Sequence, residues 1–477
     1  MSDAVSPVPP AASGAAIEAS CRLPVLALLG GAALWLLAGA VAAVLATLHF
    51  HKPDIFADHA WLSYGRILPA AKHALIYGFC LPAAFGLALW LVARLGQVPL
   101  VGGYVALVGA KLWHLGALVG GVGILVGAGT GYDGFDLPGY AAVIVFVASL
   151  VLGTVTLLTL HARCRRELYP TQWFILGGVL WLPWILSTAL CLLVWSPVRG
   201  VTQAVVHYWY LNNLQLVVLG LFGLGALLYF IPKLSGKDLP SRHLALFTFL
   251  SLVLFGSWVG VPEGGPTPAW MGAVSSIAAL FAVVPALSVV ENLRKVCCLR
   301  AAAPAAKFFS LAVAFFVLAV LLNALGTLPG LHGRLEFTLF RTAQTHLLVA
   351  GFFGFAALGG IYHVLPRVTG LDWPLAGLVR LHFWLALAGV LLVAVPYLVG
   401  GWQQGGKLAH PAIPFMDVAR GTLMPIRLAT LGETLWAVGA LLFVGNVFAL
   451  LAAWARGLVK PAVAEWTAPV AATEVKA

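Results

Sequence analysis

Charge is what this chain has least of. Of its 477 residues only 9% are Asp, Glu, Lys or Arg, 61% are hydrophobic, and the mean hydropathy is +0.99. A water-soluble domain of this length cannot bury so much apolar surface. Soluble enzymes and soluble binding modules are therefore excluded, and the chain reads as an all-α, polytopic membrane helix bundle. Cysteine is scarce too. The six (Cys21, Cys80, Cys164, Cys191, Cys297 and Cys298) form no CxxC and no CxxCH. That excludes covalently attached c-type haem and gives no disulfide framework; Cys297 and Cys298 read as an inert cytoplasmic pair. The net charge of +11 does not indicate nucleic acid, because the basic residues lie between apolar segments rather than on one face. Residues 1–22 carry no signal-peptide cleavage pattern and read as a disordered tail leading into a retained first helix. Residues 457–477 read as a second disordered tail, with the membrane domain at 23–456 between them.

What is abundant is apolar sequence in runs of bilayer-spanning length, about 20 residues or more. Twelve are expected, near 24–48, 68–94, 98–128, 138–160, 171–195, 203–232, 241–261, 268–290, 308–328, 337–365, 380–401 and 428–455. Twelve spans put both termini on one side. Roughly seventeen Lys and Arg fall on that side and about nine on the other, a positive-inside bias that makes the termini cytoplasmic. "HARCRREL" (161–168) and "ENLRKVCCLR" (291–300) carry much of it. The expected location is a bacterial inner membrane, with the bilayer itself as first partner. The long non-cytoplasmic segment 402–427 could meet another subunit.

Polar groups inside such runs are costly and need a partner or a task. "RTAQTHLLVAG" (341–351) places Arg341, Gln344 and His346 within six residues of a buried helix. Lys72, His73, His114, His207, Asn212, Asn213, Gln215 and Glu433 are similarly placed. For any one of them alone, a hydrogen bond to a neighbouring helix or snorkelling to the interface is sufficient reason.

Five segments in order change that reading: "GRILPAAKHALIYGF" (65–79), "VVHYWYLNNLQLVVLGLFGLGALLYFIPKL" (205–234), "THLLVAGFFGFAALGGIYHVLPRVTG" (345–370), "LHFWLALAG" (381–389) and "GGWQQG" (400–405). With them the chain resembles the catalytic subunit of the cbb3-type cytochrome c oxidases, in the haem-copper oxidase superfamily, from about residue 60 to 455. The resemblance implies a twelve-helix fold in which histidines of the second and tenth helices clamp a low-spin haem. A further tenth-helix histidine, two residues earlier, holds a high-spin haem. Three histidines on the sixth and seventh helices hold copper. Neutral imidazole suits both iron and copper, and residues two apart on a helix point about 200° apart.

Carried over residue by residue, the resemblance is mostly a record of replacements. The tenth-helix Gly-His-Val-His reads Ala343-Gln344-Thr345-His346, so His346 stands at the low-spin ligand and Gln344 at the high-spin one. Asn212 stands at the sixth-helix copper ligand, and "GVPEGG" (260–265) replaces the seventh-helix histidine pair. The family's tyrosine falls near Gly256. On the second helix Ala71 takes the ligand position and His73 sits two residues on; a bulge near Pro69 would bring His73 into register, and His114 is a more distant candidate. The expectation is a degenerate subunit I of a respiratory complex, binding at most one low-spin haem b through His346 with His73. No copper and no catalytic residue are expected, and a cytochrome c-type subunit is a candidate partner. Arg341 would meet a haem propionate or Glu433. Three alternatives stay open: His346 as a hydrogen-bonding residue in a haemless bundle; a transporter, channel or assembly protein with a cavity lined by Asn212, Asn213, Gln215, Gln344 and Arg341; and a working oxidase with ligands elsewhere.

Overall fold

The computed structural model describes residues 11–165, 167–262, 264–296 and 304–467; Cys297 and Cys298 lie outside them. Among the described residues twelve apolar helices follow one another: α1 (Gly14–Leu48), α2 (Tyr64–Gly96), α3 (Gly103–Val126), α4 (Gly139–His161), α5 (Pro170–Trp195), α6 (Val201–Ser235), α7 (Arg242–Gly256), α8 (Ala269–Val296), α9 (Ala305–Gly326), α10 (Leu339–Thr369), α11 (Ala376–Leu408) and α12 (Phe415–Thr467). Eleven are long and apolar enough to span; α7, with 15 residues, is the short one. At 1.5 Å per residue it covers about 22 Å of a core about 30 Å thick. It ends where Gly260 takes φ +102° and Pro262 follows.

In α2, α6 and α10, 94% of the apolar window is buried inside the protein, against 39–50% in the other long helices. These three are apolar on every side, as helices enclosed by other helices are, and they form the centre. Each changes from α to π geometry partway along: over Ala74–Cys80, Asn213–Val218 and Leu347–Gly354. The changes begin immediately after His73, Asn212 and His346. A π turn widens the helix by one residue and re-aims the side chains around it, and such turns occur mostly at functional sites.

Three expectations are corrected. The first tail is shorter than 1–22, because α1 begins at Gly14, where the Ser13 side chain caps it by accepting from the Ala16 N–H. Ile17 and Cys21 are buried within it. At the other end α12 continues to Thr467. Finally, 402–427 is not a long loop. α11 runs to Leu408 and α12 starts at Phe415. The glycines there permit close approach: a Cβ on Gly401 would collide with the Phe340 nitrogen, and one on Gly405 with the Arg334 carbonyl oxygen.

Candidate functional site

His346 ends the α-helical part of α10 (Leu339–His346). Its Nε2 is shielded from solvent and has no hydrogen-bond partner. One turn earlier the picture is the opposite. Arg341 bonds through Nη1 to Asn323 Oδ1 at 2.7 Å and to Gln344 Oε1 at 2.8 Å, and its Nε lies 3.2 Å from Glu336 Oε2. Its partner is thus Glu336, not Glu433. Glu336 precedes α10 and is the nearer acid, with a side chain only 11% exposed. The guanidinium thereby fixes Gln344, the residue at the high-spin ligand position, by its carbonyl oxygen.

On α6, the Asn212 Nδ2 donates to the Gly256 carbonyl at 2.8 Å. A Cβ on Gly260 would fall 2.5 Å from that of Asn212, so the amide is wedged between the end of α7 and the turn after it. Asn213 points elsewhere: it donates to the Trp209 and Ser257 carbonyls and accepts from Trp181 Nε1 at 2.9 Å. Gln215, Gln344, Asn212 and Arg341 share one cavity of about 270 Å³, as expected; Asn213 is not in its wall. Lys72 and Asp133, paired at 2.6 Å, also line it, as does Glu336.

His73 lies away from this wall. Its Nε2 donates to the Ala117 carbonyl of α3 at 2.8 Å; its ring stacks on Tyr77 and meets the edge of Trp35 on α1. A Cβ on Gly120 would lie 2.9 Å from its Cε1, so α3 closes over it. The bulge near Pro69 is absent: α2 is α-helical through His73 and widens only afterwards. The structure therefore does not bring His73 and His346 together. His114 donates to the Ala27 carbonyl and faces α1.

The donor sets decide what these positions can hold. At the copper position stands an amide already committed to a backbone carbonyl, and amides are poor ligands for copper or iron compared with imidazole. Among the described residues no group of three or more His, Cys, Asp or Glu converges to hold a metal ion. Gln344 offers the high-spin position an amide tied to Arg341. Asn212 and Gln344 are each weaker metal donors than the imidazoles that the resemblance puts at these positions. His346 fits as one axial donor of a low-spin haem, with an unpartnered, desolvated ring nitrogen. Sequence reasoning missed Glu336, Asn323 and Asp133. Asn323 is the one polar residue late in an apolar run, a signal open to notice. Glu336 and Asp133 lie in connections, where a carboxylate draws no attention.

The family model described as cytochrome c and quinol oxidase polypeptide I matches residues 24–435. The cbb3-type cytochrome c oxidase subunit CcoN1 of Stutzerimonas stutzeri is 23% identical over 391 residues, 78% of this chain and 81% of that protein. Cytochrome c oxidase subunit 1 of Thermus thermophilus is 28% identical over 378 residues, covering 70% and 65%. Among solved structures, a heme-copper terminal oxidase dimer superposes with a TM-score of 0.72 at 14% identity, covering 92% of this chain and 84% of that one. The structural likeness establishes the fold.

Proposed function

This chain belongs to the cytochrome c and quinol oxidase polypeptide I family, and on that premise we propose that it is a membrane subunit of a respiratory complex that does not itself reduce oxygen. The observation that carries the reading is the Arg341–Gln344 bond, which engages the side chain that the resemblance assigns to the high-spin haem's ligand position. Asn212, held by Gly256, supports it on the copper side. His346 would hold one low-spin haem b, which when bound supplies one-electron transfer. The chain's own part is to present the Nε2 of His346 in a dry environment and to keep Gln344 turned to Arg341. His73, whose Nε2 bonds to the Ala117 carbonyl, would have to release that bond to serve as the second axial ligand. Relatives that are named as oxidase subunits make a cytochrome c-type subunit a reasonable partner, with both termini of this chain in the cytoplasm.

The test is a reduced-minus-oxidised visible spectrum of the purified protein, with copper analysis. The expected result is at most one six-coordinate b-type haem per chain, abolished by His346→Ala, and no stoichiometric copper. A carbon-monoxide-reactive high-spin haem, or about one copper per chain, would overturn the proposal. A second reading, a solute-binding protein on the same scaffold, is favoured by the polar cavity.

A further inference from the structure

We infer that the cavity between α6, α9 and α10 is a binding site for a small zwitterion of amino-acid size, entered from the membrane face opposite the chain termini. The inference rests on the reading that no copper and no high-spin haem fill this space.

The wall carries two cations and two carboxylates in two ion pairs. Lys72 meets Asp133 at 2.6 Å, and Arg341 meets Glu336 at 3.2 Å. Formal charge in the wall therefore sums to zero while both signs are present. The Lys72–Asp133 pair is exposed to solvent and the Arg341–Glu336 pair is shielded, so a net anion or cation would leave one sign of the shielded pair uncompensated, at a desolvation cost. A zwitterion meets both signs. The bonds already named use Nε and Nη1 of Arg341, so the guanidinium can offer its two Nη2 protons to a carboxylate, an intrinsically bidentate partner. Glu336 can accept from an ammonium. Gln215 and Gln344 supply neutral donors and acceptors between the charges. The volume, about 270 Å³, lies just below the roughly 300 Å³ at which pockets for drug-sized ligands begin. That admits a small metabolite and excludes a macrocycle.

A second observation marks the same place. Phe337, adjacent to Glu336, lines the cavity with φ +57° and is 63% exposed. A bulky residue in the left-handed region is strained, and such strain collects at ligand clamps. It lies in the α9–α10 connection, and Asp133 in the α3–α4 connection, both on the face opposite the termini. Phe337 is placed as a lip over the entrance.

The test uses the full chain in detergent, with titration calorimetry of glycine against acetate and methylammonium, which carry one of its charges each. The expected result is saturable glycine binding, at least about tenfold tighter than either. Glu336→Gln, which removes one carboxylate from the wall, should turn the preference toward acetate. Thr345→Phe, which fills the cavity from α10, should abolish binding, and Phe337→Gly should speed association and release. Acetate binding as well as glycine in the wild type, no saturable binding of any probe, or unchanged binding in Thr345→Phe would overturn the inference. About one copper per chain in the same preparation would instead overturn the reading beneath it.

Discussion

The polar groups around α2 and those around α10 are buried in the same bundle but bonded in different ways. Around α2, apart from the exposed Lys72–Asp133 pair and the Tyr77–Tyr210 hydroxyl contact, the buried groups are tied to backbone. His73 donates to Ala117, Trp113 to Tyr77, and Tyr77 to Gly134, each to a carbonyl oxygen of another helix or connection. Around α10 the bonds run side chain to side chain, from Arg341 to Glu336, Asn323 and Gln344. A backbone carbonyl in a helix has a fixed place, so the first arrangement fastens helices together and has one state. The second has donors and acceptors that can exchange partners when something enters. Intramembrane polarity alone therefore does not mark function; the kind of partner does.

The harshest way to break this comparison is at Arg341. Arg341→Leu leaves Glu336, whose side chain is 11% exposed, with only the His332 ring at 3.8 Å, and should cost about 3 kcal/mol. Thermal unfolding in detergent reads it. Arg341→Leu combined with Glu336→Leu should recover most of the loss, because the carboxylate charge goes with it. A double variant as unstable as the single one would mean that the network is ordinary packing.

The connection between α3 and α4 gives a middle-sized effect. Asp136 is pushed up to about 6 from an ordinary 3.8, first by burial and then by Asp133, with Lys72 opposing. A raised carboxylate value means that the folded state prefers the protonated form. That stabilisation is complete below about pH 4 and is lost as pH rises through 6, about 2–3 kcal/mol at most. Asp136→Asn should flatten the fall in stability between pH 4 and 7 and leave the variant more stable than wild type at neutral pH. An unchanged pH profile would show that the connection holds Asp136 charged.

How much of this was legible beforehand follows from where the physics is local. Apolar runs announce spans because hydropathy sums over twenty residues, so α2, α6 and α10 were found within a few residues. The eleventh span reads as ending near 401 because Gln403, Gln404 and Lys407 lower the hydropathy there, whereas Gly401 and Gly405 admit the backbone at Phe340 and Arg334 and α11 runs on to Leu408. The π turns after His73, Asn212 and His346 have no local signature; they record a fit among neighbouring helices. Of the cavity, the amides and Arg341 were legible, since each is an anomaly within a run. Glu336 was not, because it becomes Arg341's partner only once the α9–α10 connection folds back.

The smallest effect is the sharpest on the α2 side. His73→Phe keeps a ring between Trp35 and Tyr77 and removes the bond to the Ala117 carbonyl. A neutral bond of this kind contributes about 1 kcal/mol net, and a carbonyl within a helix can still accept from its own N–H four residues on. The expected outcome is a loss of about 1 kcal/mol in detergent unfolding, with any visible spectrum unchanged in position and intensity. His346→Ala in parallel should do the reverse, erasing the spectrum at small cost to stability, since its Nε2 has no partner to lose. If His73→Phe erased the spectrum instead, the ring would have to leave Ala117 and turn toward α10 in the loaded protein. The α2 region would then belong with the rearrangeable side of the bundle, not the fastened one.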